Sequence, residues 1–138
     1  HDTDEPLQRA DGPAIESVTG DKHWYKNGEL HRDDGPAIEY YDGDKAWYKE
    51  GINIKEQFKT YAAYYDNGLL HRNNGPAIEY ADGCKKWYTN GKVSRNDGPA
   101  IIFPDGSTYW VYNDEYYGLN NDFTNESWIK FIKTLIFS

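Results

Sequence analysis

The sequence holds no methionine and a single cysteine, Cys84, in 138 residues. A lone thiol closes no internal disulfide, so oxidising and reducing compartments are equally compatible with it. Without Met, the start at His1 is not an initiator, and the chain reads as a processed product or a fragment. Long apolar runs are missing too. Mean hydropathy is −0.95, and the one strongly apolar segment is the last eleven residues, short of the ~18 that a membrane span needs. A soluble chain is expected, in the cytoplasm before other compartments. Basic charge is scarce: 15 Lys and Arg stand against 23 Asp and Glu, a net charge of −8. Phosphate backbones and anionic lipid must be neutralised by what binds them, so nucleic acid is an unlikely partner; a basic partner, or simply solubility, suits this balance. Catalytic signatures are absent as well. No Ser, Cys or His stands in a G-x-S-x-G-type motif, and no glycine-rich loop precedes a helix. The expectation is a protein that is not an enzyme and carries no cofactor.

What is present is a repeat. GPAI occurs at Gly12–Ile15, Gly35–Ile38, Gly75–Ile78 and Gly98–Ile101, at separations of 23, 40 and 23 residues. A Trp follows each of these isoleucines by nine positions, at Trp24, Trp47, Trp87 and Trp110. The period is therefore 23, and the wider gap is one full unit plus a shortened one of 17. Self-similarity reduces the fold to one supersecondary unit. The units run about 11–33, 34–56, a shortened 57–73, 74–96 and 97–119. Residues 7–9 match Leu30–Arg32 as the remnant of an earlier unit, and residues 1–6 are a polar acidic tail.

Each unit is punctuated as hairpins. Asp42-Gly43, Asp82-Gly83 and Asp105-Gly106, with Thr19-Gly20 as a weaker version, separate an apolar run from an aromatic one; Asn27-Gly28, Asn67-Gly68 and Asn90-Gly91 follow the aromatic pair. Both dipeptides tolerate the positive φ of two-residue type I′ turns. A two-residue loop at Asp42-Gly43 sets Ile38 opposite Trp47, with Ile38, Tyr40 and Trp47 on one face and Ala37, Glu39 and Tyr48 on the other. At ~10 Å per hairpin, the five units predict an elongated sheet on the order of 45–50 Å long.

The stretch WYKNGELHRDDGPAIEYYDG resembles a variant of the MORN repeat in its period, its aromatic pair and its turn positions, over about residues 7–119. It departs in the connector, where HRxDGPA replaces His-Gly-x-Gly. The resemblance implies a twisted, single-layer β-meander used as a scaffold or protein-binding module, with lipid binding claimed for some members. The predicted fold is thus all-β: an elongated single-layer antiparallel β-meander of repeated hairpins over 1–119, with a C-terminal capping α-helix in 120–138.

Two segments break the pattern. In Ile52–Thr60 the GPAI strand is missing; Asn53 and Glu56 resemble a capping box, and Ile54, Phe58 and Tyr61 fall at helical spacing, so a short helical turn is predicted before a strand over Tyr61–Tyr65. After Asn120, Thr124 or Asn125 can cap a helix whose apolar face is Trp128, Ile129, Ile132, Leu135 and Ile136. That helix is expected to cover the edge left by the last strand, or to serve as a docking or dimerisation element. A homo-oligomer would form through it or through the array edge.

The binding candidates are rows. Trp24, Trp47, Trp87 and Trp110, with Tyr64 in the same register, form one aromatic row; Tyr25, Tyr48, Tyr65 and Tyr88 form another on the opposite face. Arg32, Arg72 and Arg95 form a ladder with Arg9 and Lys55, and an acid or amide (Asp11, Asp34, Asn74, Asp97) follows two residues later. The ladder reads as a structural clamp at the corner between units. Read for function, it is a row of guanidinium forks that hold carboxylate or phosphate. His31 and His71 lie two ~10 Å units apart and cannot share a metal ion, so no metal site is expected. The leading expectation is a non-catalytic module that recognises a protein partner through an aromatic β-face, as a scaffold, inhibitor or immunity-type protein. The alternative is a binder of a small anionic ligand or nucleotide, held by the Arg ladder and aromatic stacking.

Overall fold

The computed structural model describes residues 15–137. The tail, the remnant at 7–9, Arg9, Asp11 and residues 12–14 of the first GPAI lie outside the described residues. The chain is an antiparallel β-meander with one C-terminal α-helix, and it divides between Gly68 and Leu69 into two compact units.

The first unit contains β1 (Ile15–Glu16), β2 (Lys22–His23), β3 (Tyr25–Lys26), β4 (Glu29–Leu30), β5 (Ile38–Glu39), β6 (Lys45–Lys49), β7 (Ile52–Gln57) and β8 (Tyr61–Asp66). Its sheet runs β1-β2-β5-β6-β7-β8, while β3 and β4 pair as a separate two-residue ribbon. The second unit contains β9 (Leu69–Leu70), β10 (Ile78–Tyr80), β11 (Lys85–Lys86), β12 (Tyr88–Thr89), β13 (Lys92–Val93), β14 (Ile101–Ile102), β15 (Thr108–Tyr112), β16 (Glu115–Leu119), a 3-10 turn (Asn120–Asp122) and α1 (Asn125–Ile136). Here the sheet runs β10-β11-β14-β15-β16, and β12–β13 is the ribbon.

The two turn types differ from one another, which corrects the predicted register. Asn27-Gly28, Asn67-Gly68 and Asn90-Gly91 do have two positive φ values each, near +50° and +80°, as a type I′ turn requires. The Asp-Gly loops do not. Gly43 N donates to Tyr40 O at 3.0 Å and Tyr40 N to Asp44 O at 2.9 Å, so three residues form the loop, with Gly43 alone at positive φ (98°). This is a type I turn closed by a glycine bulge. The aspartate is selected for its side chain: Asp42, Asp82 and Asp105 each accept the N–H two residues on, at 3.1, 2.9 and 2.9 Å. One added loop residue shifts the pairing by one. Ile38 lies opposite Ala46 and not Trp47, and Glu39 opposite Lys45. Ile38, Tyr40, Ala46 and Tyr48 therefore share one face, and Trp47 stands on the other with Glu39.

The expected helical turn at Ile52–Thr60 is also corrected. Ile52–Gln57 is a six-residue strand paired with both β6 and β8. A bulge at Ile54 absorbs the broken pattern, since Trp47 pairs Lys55 and Tyr48 pairs Asn53. Asn53 and Glu56 do bond, Nδ2 to Oε2 at 2.9 Å, as strand neighbours and not as a cap. The last hairpin repeats this arrangement, with Tyr117 as the extra residue between the Trp110–Gly118 and Val111–Tyr116 pairs. Tyr61–Asp66 is a strand, as predicted for Tyr61–Tyr65.

The helix is capped by Thr124, whose Oγ1 accepts from Ser127 N at 3.1 Å. Trp128 and Ile132 are fully buried with Phe131 and Leu135 beside them, whereas Ile136 of the predicted apolar face is exposed. The helix packs its rings on Trp110 and Tyr117, with Trp128 at 5.5 and 6.0 Å. Gly118 makes this packing feasible. It occupies the Arg95 position one period on, and a Cβ there would stand 2.9 Å from Asp122 Cβ and 3.2 Å from Phe123 Cε2. Aromatic rings cover the last Trp, where a guanidinium covers Trp24 and Trp87 and the Lys55 ammonium covers Trp47.

Candidate functional site

The arginine ladder is built onto the tryptophan row. Arg32 Cζ lies 3.8 Å from the centroid of the Trp24 ring, and Arg95 Cζ lies 3.9 Å from that of Trp87. Each guanidinium is also held at its edges. Arg32 donates to Asp34, Pro36 O and Glu39 at 3.2, 3.2 and 3.0 Å, and Arg95 to Asp97 and Pro99 O at 2.8 and 3.1 Å. Arg72 donates to Pro76 O and Glu79 at 3.2 and 3.0 Å. Lys55 takes the arginine's place over Trp47 and Tyr64, at 4.8 and 5.4 Å.

This arrangement explains the HRxDGPA connector residue by residue. The glycine of GPAI is needed for proximity: a Cβ at Gly98 would be 2.7 Å from Arg95 Cζ, and at Gly35 3.1 Å from Arg32 Cζ. The proline carbonyl accepts from the guanidinium. The alanine is buried, with no solvent exposure at Ala37, Ala77 or Ala100. The histidine supports the next turn. His31 Nδ1 accepts the N–H of Glu50 at 2.9 Å and His71 Nδ1 that of Asn90 at 3.1 Å, while Ser94, one period after His71, accepts from Asn113 at 3.1 Å. Nε2 of His31 is 2.7 Å from Asp33 Oδ1, and that contact holds the Asp33 carboxyl below the usual carboxylate range. No group of three His, Cys, Asp or Glu among the described residues could hold a metal ion.

The two aromatic rows are thus unequal. Trp24 and Trp110 are buried, and Trp47 and Trp87 half-buried. Tyr25, Tyr48, Tyr65 and Tyr88 are half-buried. In the first unit, Tyr61 and Tyr65 both donate to Glu56 Oε1, at 3.0 and 2.9 Å. Burial, then the bond to Glu56, pushes the Tyr65 phenol well above its ordinary range; burial and the Glu56 charge also raise Tyr48.

In the second unit, the face opposite Trp87 and Trp110 carries a patch that the two rows do not include. Phe103, Tyr109 and Tyr116 pack edge to face, with centroids 5.3 and 5.6 Å apart. Tyr109, Tyr116 and Leu119 are 36, 59 and 51 % exposed. Tyr109 pairs with both Ile101 and Leu119 across its neighbouring strands, which places them on one face. The signal for this patch was variation within the repeat. Positions equivalent to Tyr109 hold His23, Ala46 and Lys86, so no shared structural role fixes the residue there.

No helix among the described residues is long and apolar enough to cross a membrane. No family model matches the chain, and no curated protein matches it.

Proposed function

We propose that this chain is a non-catalytic binding module that recognises a protein partner through the aromatic face opposite its tryptophan row. The observation that carries the reading is the difference between the faces. Trp24 and Trp87 lie under guanidinium groups, Trp47 under the Lys55 ammonium and Trp110 under α1, whereas Tyr109, Tyr116 and Leu119, with half-buried Phe103 beside them, form an exposed apolar patch. Tyrosine and phenylalanine in such a patch supply large contact area with little side-chain entropy to lose, the make-up of interface hot spots. The likeness to MORN repeats, in period and turn positions, points the same way. A non-catalytic role is favoured by the roles its nucleophiles already fill: Ser94 Oγ accepts from the Asn113 amide, and burial pushes the Cys84 thiol up.

The test is site-specific photo-crosslinking in the source cell. A benzophenone side chain at position 116 should yield one adduct of defined mass, and the same group at exposed Lys92 should not. With the adduct identified, Tyr116→Ala should weaken binding of the purified partner by roughly 30-fold, as for a hot-spot residue of about 2 kcal/mol. Equal labelling from both positions, or none from 116, would rule the face out.

A further inference from the structure

We infer that a groove in the second unit, between its two arginine connectors, binds a phosphomonoester. The groove has a volume of about 760 Å³, and its lining includes His71, Arg72, Asn73, Asn74, Arg95, Asn96 and one carboxylate, Asp97. The size falls within the ~300–1,000 Å³ of small-molecule sites. A second hollow, of about 710 Å³ beside Trp110, has no Lys, Arg or His in its wall.

Charge sets this groove apart from the rest of the array. The chain's acidity is uneven: residues 69–138 hold 7 Lys and Arg against 8 Asp and Glu, a net of −1, whereas residues 1–68 hold 8 against 15, a net of −7. Within the connectors the same change is local. The first unit reads His31-Arg32-Asp33-Asp34, and the second reads His71-Arg72-Asn73-Asn74 and then Ser94-Arg95-Asn96-Asp97. Three carboxylates of the repeat have become amides on the wall of one cavity.

The exchange also turns acceptors into donors. His71 Nδ1 accepts the Asn90 N–H, so the ring proton is on Nε2, which donates to Asn73 Oδ1 at 2.8 Å. Asp33 makes the same contact with His31 through Oδ1. Where Asp33 then has a second anionic oxygen, Asn73 has an NH₂ group. Arg95 uses Nε and Nη1 on Asp97 and Pro99 O, and its Nη2 has no protein acceptor among the described residues. Two guanidinium groups, one of them with a donor edge available, and a set of amide donors are the means by which proteins hold a phosphate dianion. Glu79 pairs with Arg72 and Asp97 with Arg95.

The test uses the full chain at constant ionic strength, with inorganic phosphate, AMP and vesicles carrying phosphatidic acid as probes, read by calorimetry and thermal shift. Saturable binding of at least one probe is expected. AMP against vesicles tells a soluble ester from a lipid headgroup. The decisive variant is Asn73→Asp with Asn74→Asp, which recreates the first unit's HRDDG and so a connector this repeat already folds. It should keep the unliganded melting temperature and weaken binding at least about tenfold. Should that pair unfold, Asn96→Asp must weaken binding in the same direction. Tyr116→Ala should bind the probes as the parent does, which keeps this site separate from the aromatic face. Binding of no probe, or undiminished binding in the aspartate variants, would overturn the assignment.

Discussion

Gly98 sits in a GPAI segment and invites explanation as a backbone requirement, but it is not at positive φ, and its constraint comes from a side chain. In Gly98→Ala the new Cβ would meet Arg95 Cζ at 2.7 Å, and the guanidinium, as the movable end of a long side chain, would leave its place. Three interactions go with it. The half-exposed pair with Asp97 contributes about 0.5 kcal/mol, the bond to Pro99 O about 1, and the contact over Trp87 about 0.5–1. The expected loss is about 2 kcal/mol. In an Arg95→Ala background the three nearest atoms, all of the guanidinium, are gone, and the same change should stabilise by ~0.4–1 kcal/mol, because alanine restricts the unfolded chain. The sign of the Gly98→Ala effect therefore reverses with the residue at 95. Urea unfolding of the four proteins of this double-mutant cycle, followed by tryptophan fluorescence, measures the coupling. An equal penalty in both backgrounds would show that the glycine serves the backbone and that the stacked clamp does not set this residue.

Two further outcomes follow from the same geometry. His31→Ala removes the acceptor for the Glu50 N–H, in a turn where Glu50 already has φ of 51°, and should cost about 1–2 kcal/mol in urea unfolding; His31→Ser should recover much of this, because Ser94 performs that role for Asn113. Tyr65 supplies a pH dependence. Its phenol is raised in the fold by burial and by Glu56, so below about pH 10 folded and unfolded chains are both neutral there and the contribution is intact. As pH rises past that value the unfolded chain ionises first, and stability falls. Melting temperatures taken between about pH 9 and pH 12 should drop less steeply for Tyr65→Phe than for the parent; identical slopes would show that Tyr65 titrates as a free phenol.

How much of this could be read beforehand depended on whether the controlling interaction was local. Asn-Gly turns were legible because the demand, two residues at positive φ, is met by the dipeptide itself. Asp-Gly was misread as the same signal. Its aspartate is chosen to accept an N–H two residues on, and a loop longer by one residue inverted the assignment of Trp47 relative to Ile38. Ile52–Gln57 was misread because a bulge at Ile54 changes the period of a strand to resemble that of a helix, and only pairing on both sides resolves the ambiguity. A clamp of Arg at the corner between units could be read from the ladder of arginines and acids, though not its stacking on Trp. The reason for glycine beside it could not, since that depends on a guanidinium reaching back over the chain from three residues away.

The repeat also separates structural positions from those available for recognition. Positions that hold the fold recur with the same residue or a close stand-in: the alanine under the connector, the arginine over the indole with Lys55 in its place over Trp47, the asparagine of the two-residue turn with Glu50 in its place once. Where the fold's demand changes, the residue changes in a way the neighbours explain, as when Gly118 replaces the arginine and Phe123 and Trp128 occupy the space. Tyr109 stands 36 % exposed where His23, buried Ala46 and Lys86 occupy the equivalent positions, and Asn73 and Asn74 are exposed where Asp33 and Asp34 stand in the first unit. A difference between copies of one motif that the fold does not demand is where recognition is free to act, and it is on those differences, not on the shared tryptophans, that the partner face and the anion groove are placed.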